Sequence, residues 1–164
     1  MERTKYEFDP ETEAVIVADL IVTKKKKPIM LVHADPRTEL LEWGLKELIY
    51  NLKYSETFFP YAMLVQLEKI QIFQWDGEKL SEPIFVKKSE EILKDYEPEL
   101  GTKRIFKHYL TALTQVWLHD LDYNWCMENP PGSKELADIG LLELLKGVET
   151  ERKIVLRGEV EEWW

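Results

Sequence analysis

The stretch AVIVADLIVTKKKKPIMLVHADPR, residues 14–37, decides the first half of the fold. It contains two runs of apolar, largely β-branched residues with four lysines between them. Such runs predict strands buried on both faces, and the short lysine-rich link predicts a hairpin. Three polar residues interrupt the pattern: Asp19 in the first strand, and His33 and Asp35 at the end of the second.

The alternation of side chains along a strand predicts where these polar residues lie. His33 and Asp35 share a face with Leu31, because every second residue points the same way. Folding the hairpin about its lysines places Asp19 opposite residues 31–33, and directly paired residues are roughly 4.5–5.5 Å apart at Cβ. A carboxylate in an apolar strand is costly without a partner. We therefore expect one shared polar site, either a metal site or a hydrogen bond between Asp19 and His33 alone.

The rest of the chain predicts a mixed α/β fold. After the strands at 14–23 and 27–34, the patterns predict a helix over 37–56 with Thr38 as its N-cap, followed by strands over 59–67, 69–75 and 82–88. The second half predicts helices over 89–96, 104–125 and 134–147, the last with Ser133 as its N-cap. One late strand is expected in the tail. The predicted fold class is α/β, with a mixed sheet of about four to five strands in the order ββαββ and a helical C-terminal half. We expect a single domain over 1–164, with a sheet core at 14–88 and a helical extension at 89–164.

Composition narrows the class of protein. The 164 residues are 45% hydrophobic and 12% aromatic, which is typical of a globular chain. The net charge of −9 disfavours non-specific binding to nucleic acid, although a local basic patch is compatible with it. One cysteine, the lack of an apolar leader and apolar runs far shorter than a membrane span predict a soluble cytoplasmic protein with no membrane partner.

Three segments together resemble a nuclease family. They are ADLIV (18–22), KPIMLVHAD (27–35) and, after the predicted helix, PYAMLVQLEKIQIFQWDG (60–77). In this order they resemble the core of PD-(D/E)XK nucleases, and more narrowly the N-terminal nuclease domain of type I restriction enzyme R subunits and its stand-alone relatives. The resemblance covers roughly residues 14–80 and implies a restriction-endonuclease-like ββαββ core.

The resemblance also implies roles for the polar residues. In that family the first-strand Asp and an acid on the second strand hold a divalent cation, and a Lys two residues after that acid helps to activate water. Asp19 matches the first Asp, but His33 stands where the acid belongs and Asp35 where the Lys belongs. A His adds no negative charge to a Mg²⁺ site, and an Asp lacks the positive charge that steadies a developing anion. We therefore expect a disabled metal site, in a protein that acts as a binding or regulatory module.

Two alternatives remain open at this point. The first is an active DNA endonuclease that depends on Mg²⁺ or Mn²⁺, with Asp19, His33 and Asp35 as metal ligands. Its catalytic residues would be Asp19, Asp35 and a lysine that has migrated to position 46 on the following helix, Lys46. The segment Asp35-Pro36-Arg37 is a less favourable match to the acid–x–base motif, because it places Pro36 within the strand. The second is an unrelated α/β scaffold that works through protein contacts alone.

Two further features bear on partners. Lys24, Lys25, Lys26 and Lys27 are candidate contacts to a nucleic-acid backbone, which makes DNA a possible partner, but a solvated hairpin tip is the favoured explanation of the run. Trp163 and Trp164 lie next to one another in the tail, where two large aromatic side chains predict docking onto the same chain, a protein partner or a second copy.

Overall fold

The computed structural model describes residues 15–158, and within them the chain forms an α/β fold of six strands and five helices. The strands are β1 (Ile16–Lys24), β2 (Lys27–Asp35), β3 (Tyr61–Gln66), β4 (Lys69–Gln74), β5 (Phe85–Lys88) and β6 (Glu149–Arg157). The helices are α1 (Glu42–Tyr54), α2 (Ser89–Leu93), α3 (Lys107–Tyr123), α4 (Ser133–Asp138) and α5 (Leu141–Leu144).

All six strands join one mixed sheet in the order β5-β4-β3-β2-β1-β6. Only β2 and β3 pair in parallel, since helix α1 connects them, and the other neighbours are antiparallel. Lys25 and Lys26 form the β1–β2 turn with φ of 52° and 67°, the left-handed pair of a tight hairpin turn. The prediction of a mixed α/β sheet is therefore confirmed, but with six strands rather than four or five.

The sixth strand is the late strand expected in the tail, and it lies within a half of the chain otherwise expected to be helical. Strand β6 returns from the helical layer and pairs with β1, from Ile16 opposite Arg157 to Thr23 opposite Glu149. It covers the edge of β1, which would otherwise expose a row of unpaired backbone groups. The description of residues 89–164 as a helical extension therefore holds only in part.

Helices cover both faces of the sheet. Leu48 and Leu52 of α1 pack on one face, in a core that also contains Leu31 and Leu64 from β2 and β3. Helices α2 to α5 pack on the other face, where Trp117 of α3 is fully buried. This gives three layers, with α1 alone on the side toward which His33 and Asp35 point.

Three local predictions were wrong. Helix α1 begins at Glu42 after Leu41 rather than at Thr38, because Leu40 has a left-handed backbone (φ 54°) that interrupts any earlier helical turn. The helix predicted over 134–147 is broken into α4 and α5 at Gly140, which has φ 80°. Its N-cap is Gly132 rather than Ser133, whose hydroxyl donates to the Pro130 carbonyl.

The tryptophans divide into buried and exposed pairs. Trp75 and Trp117 are core residues, whereas Trp43 and Trp125 are about half exposed. Trp163 and Trp164 lie outside the described residues, so their predicted docking stays a prediction. Within residues 15–158, no helix combines the length and apolar character that a membrane crossing requires.

A buried carboxylate organises the helical layer. Asp120 of α3 is fully buried, and it accepts hydrogen bonds from the Tyr96 hydroxyl at 2.5 Å and from the Cys126 and Met127 amides at 2.9 and 3.2 Å. Burial and the hydrogen bond to Asp120 raise the pKa of the Tyr96 phenol, so this phenol stays protonated and keeps donating. Asp120 thus holds two loops against α3.

We predict that Asp120→Ala lowers the free energy of unfolding by about 3 kcal/mol, because a buried donor left without an acceptor costs roughly 1–3 kcal/mol and three donors are affected. Urea denaturation followed by circular dichroism measures the change. The exposed Asp138→Ala is the control and should stay within about 0.5 kcal/mol of the unaltered chain. A loss below about 1 kcal/mol for Asp120→Ala would show that the loops are held by other contacts.

Candidate functional site

Asp19 lies where the β1–β2 ladder ends. The last pair on that side is Leu20 opposite Val32, which leaves Asp19 opposite His33. At this point the Ala34 amide donates to Asp19 Oδ2 at 3.0 Å, so a side-chain oxygen replaces the backbone carbonyl that would continue the ladder. The carboxylate therefore sits against the backbone of β2, with 14% of its side chain exposed.

His33 is held between two carboxylates. Its Nδ1 lies 2.9 Å from Asp19 Oδ2, and its Nε2 lies 3.1 Å from Oε1 of Glu47 on α1. The predicted contact between Asp19 and His33 is confirmed. The imidazole is buried, and it donates to both carboxylates when both ring nitrogens carry protons.

Asp35 is bound by an arginine two residues later. Arg37 Nε and Nη2 donate to the two oxygens of Asp35 at 2.7 and 3.0 Å, and the Arg37 amide donates to Oδ1 at 3.1 Å. The same guanidinium also donates to Glu47. Asp35 therefore joins Asp19 and His33 through Arg37 and Glu47, in an order that strand alternation alone does not predict.

A lysine from the opposite helical layer completes the arrangement. Lys107, the first residue of α3, places its Nζ 3.1 Å from Asp19 Oδ1. We call the connected groups the ion-pair network. In order along their contacts they are Lys107, Asp19, His33, Glu47, Arg37 and Asp35.

These contacts favour the charged forms of both aspartates. Burial raises the pKa of the Asp19 carboxyl, but the hydrogen bonds from His33 and the Ala34 amide and the charges of His33 and Lys107 lower it by more. The net pKa is below the ordinary 3.8. Burial likewise raises the pKa of Asp35, and the hydrogen bonds and charge of Arg37 more than reverse this effect. Both side chains are carboxylates at neutral pH.

The donor set does not fit a divalent cation as it is arranged. Asp19 Oδ1 faces Lys107, Asp19 Oδ2 accepts from His33 and Ala34, and both oxygens of Asp35 accept from Arg37. A cation at this point would have to displace a lysine or an arginine from its partner. Among residues 15–158, no three His, Cys, Asp or Glu side chains are grouped so that they could hold a metal ion.

Lys46 lies in the cleft beside the network. Its Nζ is 5.1 Å from the centre of the Trp43 ring, which is the geometry of a cation–π contact. The cleft lies between α1 and strands β1 and β2 and has a volume of about 540 Å³. It is lined by Val17, Asp19, His33, Trp43, Lys46, Glu47, Tyr50, Asn51 and Lys107. Lys46 therefore shares a cavity with Asp19, although its ammonium lies over an aromatic ring.

The lysine run is separate from this site. Lys25, Lys26 and Lys27 lie at the hairpin tip, six or more residues along the chain from Asp19. Lys24 turns the other way, and its Nζ donates to the carbonyls of Glu143 and Leu144 at 3.2 and 3.3 Å, at the end of α5. Of the four candidate nucleic-acid contacts, Lys24 is thus also a helix cap.

Sequence reasoning missed two members of the network, Glu47 and Lys107. Both lie on amphipathic helices, where a charged residue ordinarily indicates a solvated face. Gly44 was the signal that α1 approaches the strand closely. It is a buried glycine in the first turns of the helix, where it leaves room for Asp35 and Gln66.

Compared with family models, with curated proteins and with solved structures, the chain matches none. The class of protein therefore has to be argued from the fold and the network themselves.

The approach of α1 to the strands gives a test of the site's packing. A Cβ at position 44 would lie 2.7 Å from Asp35 Oδ2 and 3.0 Å from Gln66 Nε2. Arg37 holds the first of these groups, and the second donates to the Leu41 carbonyl at 2.8 Å. Neither side chain can move away without losing a hydrogen bond.

We predict that Gly44→Ala lowers the free energy of unfolding by about 1–2 kcal/mol, because overpacking outweighs the gain of about 1 kcal/mol in helix propensity. Urea denaturation measures it. Gly101→Ala is the matched control, since nothing lies within 4 Å of its added Cβ and its stability should not fall. A more stable Gly44→Ala chain would mean that Asp35 is not held as described.

The lowered pKa of Asp19 gives a pH-dependent test. The folded-state pKa is below the unfolded value of about 3.9, so the charge stabilises the fold above about pH 4. This contribution is lost as the pH falls through the folded-state pKa. We predict that Asp19→Asn costs about 1–3 kcal/mol at pH 7 and less at about pH 3, measured by urea denaturation. A difference that does not narrow in acid, or that Asp138→Asn reproduces, would contradict the ionised network.

Proposed function

We propose that the chain is a nuclease-fold protein with a disabled metal site, and that it acts as a binding or regulatory module rather than as an enzyme. In this proposal it is related to the PD-(D/E)XK nucleases and resembles the N-terminal nuclease domain of type I restriction enzyme R subunits. Its partner is a protein or a second copy of the chain, with DNA as a further possible partner, in the cytoplasm.

The order of elements around the site supports the proposal. The β1–β2 hairpin, helix α1 and strands β3 and β4 follow one another as the resemblance implies, and α1 joins β2 to a parallel β3. Asp19 on β1 lies beside position 33 on β2, where two metal ligands of a nuclease would face each other. A shared fold does not by itself imply a shared activity, so the site has to carry the functional argument.

The observation that carries the proposal is the source of the positive charge at this site. Lys107 and Arg37 supply it from the chain itself, with His33 between two carboxylates. A nuclease needs an exchangeable cation and a base with free access to water, whereas here each aspartate oxygen already accepts from a protein donor. Asp35 stands where the family's lysine is expected. Its carboxylate has the opposite charge, and Arg37 binds it.

Rebuilding the family's residues tests the proposal. We predict that His33→Glu with Asp35→Lys strengthens Mn²⁺ and Mg²⁺ binding about tenfold or more, which is about 1.4 kcal/mol. The glutamate introduced by His33→Glu and the existing Asp19 would then offer two carboxylates across the hairpin, a better set for a hard cation than one carboxylate and an imidazole. Isothermal titration calorimetry measures the affinity. Adding Lys107→Met should raise it further, because this lysine competes for Asp19.

The control is His33→Gln with Asp35→Lys, which has the same shape without the new carboxylate. It should bind no more Mn²⁺ than the unaltered chain. Equal affinities in all folded variants would show that these positions do not converge on a cation, and the family interpretation would fail with them. Cleavage of plasmid DNA by the unaltered chain with Mg²⁺ or Mn²⁺, abolished by Asp19→Ala, would instead establish the active endonuclease.

A further inference from the structure

The cleft beside the ion-pair network continues into an exposed apolar strip. Val17 lines the cleft and is 43% exposed, and its register partner Val155 on β6 is 41% exposed. On the other side of the cleft, the ring of Trp43 is 46% exposed. Partly exposed apolar groups therefore stand on both sides of the cleft.

The described chain ends next to this strip. The Glu56 amide, just after α1, donates to the Leu156 carbonyl of β6 at 2.9 Å, so the end of β6 runs beside the end of α1. Burial and Tyr54 raise the pKa of the Tyr50 phenol in the cleft, and the nearby positive charge of Arg157 partly opposes them. Gly158 then has φ 82°, a left-handed turn out of the strand. The chain therefore leaves the sheet at the cleft.

Residues 159–164, which follow Gly158, complement the cleft in charge and in apolar character. Residues 159–164, outside the described part of the chain, read Glu-Val-Glu-Glu-Trp-Trp. The acids of the cleft already have partners within the network, while Lys46 lies over Trp43 on α1 and Lys107 lines the cleft from α3. Aromatic side chains thus meet an apolar strip, and glutamates meet lysines.

The distance is also within reach. From Tyr54, where α1 ends beside β6, to Trp43 is eleven residues, or about 17 Å of helix. Six extended residues span at most about 20 Å, which covers the cleft from the end of β6 to Trp43.

We propose that residues 159–164 bind in this cleft of the same chain, with Trp163 and Trp164 against Trp43 and Val17 and the glutamates at Lys46 and Lys107. The segment is then an intramolecular occupant that any partner of the cleft has to displace. This docking does not depend on whether the ion-pair network was ever a metal site, because Lys46, Trp43 and Val17 lie outside the network and only Lys107 is shared with it.

Fluorine NMR of the full chain labelled with 5-fluorotryptophan tests the proposal. The six tryptophan resonances are assigned by single Trp→Phe replacements. In Trp163→Ala with Trp164→Ala, the Trp43 resonance should shift toward that of a solvent-exposed ring, while those of the buried Trp75 and Trp117 stay in place. Those two resonances also report that the variant is folded. Trp125→Ala, which removes another half-exposed indole, is the matched control and should leave Trp43 unchanged.

The charge contacts have their own variant. Lys46→Glu should move the Trp163 and Trp164 resonances toward their solvent-exposed positions, and Lys134→Glu, exposed on α4, should not. An unchanged Trp43 resonance in the double alanine variant would overturn the proposal. A Trp43 shift that appears only in a dimer, and vanishes on dilution with a fall in mass by sedimentation, would show binding to a second copy and overturn the intramolecular form.

Discussion

The charge of Asp19 inside a buried strand is the constraint on which the site depends. A carboxylate in this position is strongly unfavourable unless donors surround it. Its donors come from two directions: Ala34 and His33 from the neighbouring strand, and Lys107 from the start of α3. Satisfying one side chain therefore ends the β1–β2 ladder, fixes the rotamer of the histidine and anchors a helix of the opposite layer at the sheet edge.

The ion-pair network also explains how α1 is positioned. Glu47 meets both His33 and the guanidinium that binds Asp35, so the helix is tied to β2 and to the loop that follows it. The Glu47 and Arg37 side chains are 44% and 43% exposed, and ion pairs this exposed add only about 0–1 kcal/mol of stability. These contacts favour the rotation and height of α1 that bring Glu47 to the histidine. Gly44 then lets the helix backbone approach Asp35.

The sequence contained much of the sheet and part of the site. Strand alternation placed Asp19 beside His33, because a two-residue period and a short hairpin leave few registers. It could not identify Lys107, which lies far along the chain on a helix whose polar residues look solvated. It placed a helix start at Thr38 from capping preference alone, whereas the left-handed backbone of Leu40 sets the observed start at Leu41 and Glu42. Local rules therefore predicted contacts within the hairpin and failed where a distant element determined the geometry.

The balance of charge within the network decides what the cleft can recognise. Asp19 faces His33 and Lys107, and Glu47 faces His33 and Arg37. These partners offset the negative electrostatic potential that the two carboxylates would otherwise create in the open cleft. The groups that the network leaves exposed there are chiefly the indole of Trp43 and the ammonium of Lys46 above it, one turn apart on α1. An aromatic platform with a cation attached favours apolar or aromatic groups that carry negative charge. The carboxylates of the network thus hold the walls of the cleft, while Trp43 and Lys46 present its open surface.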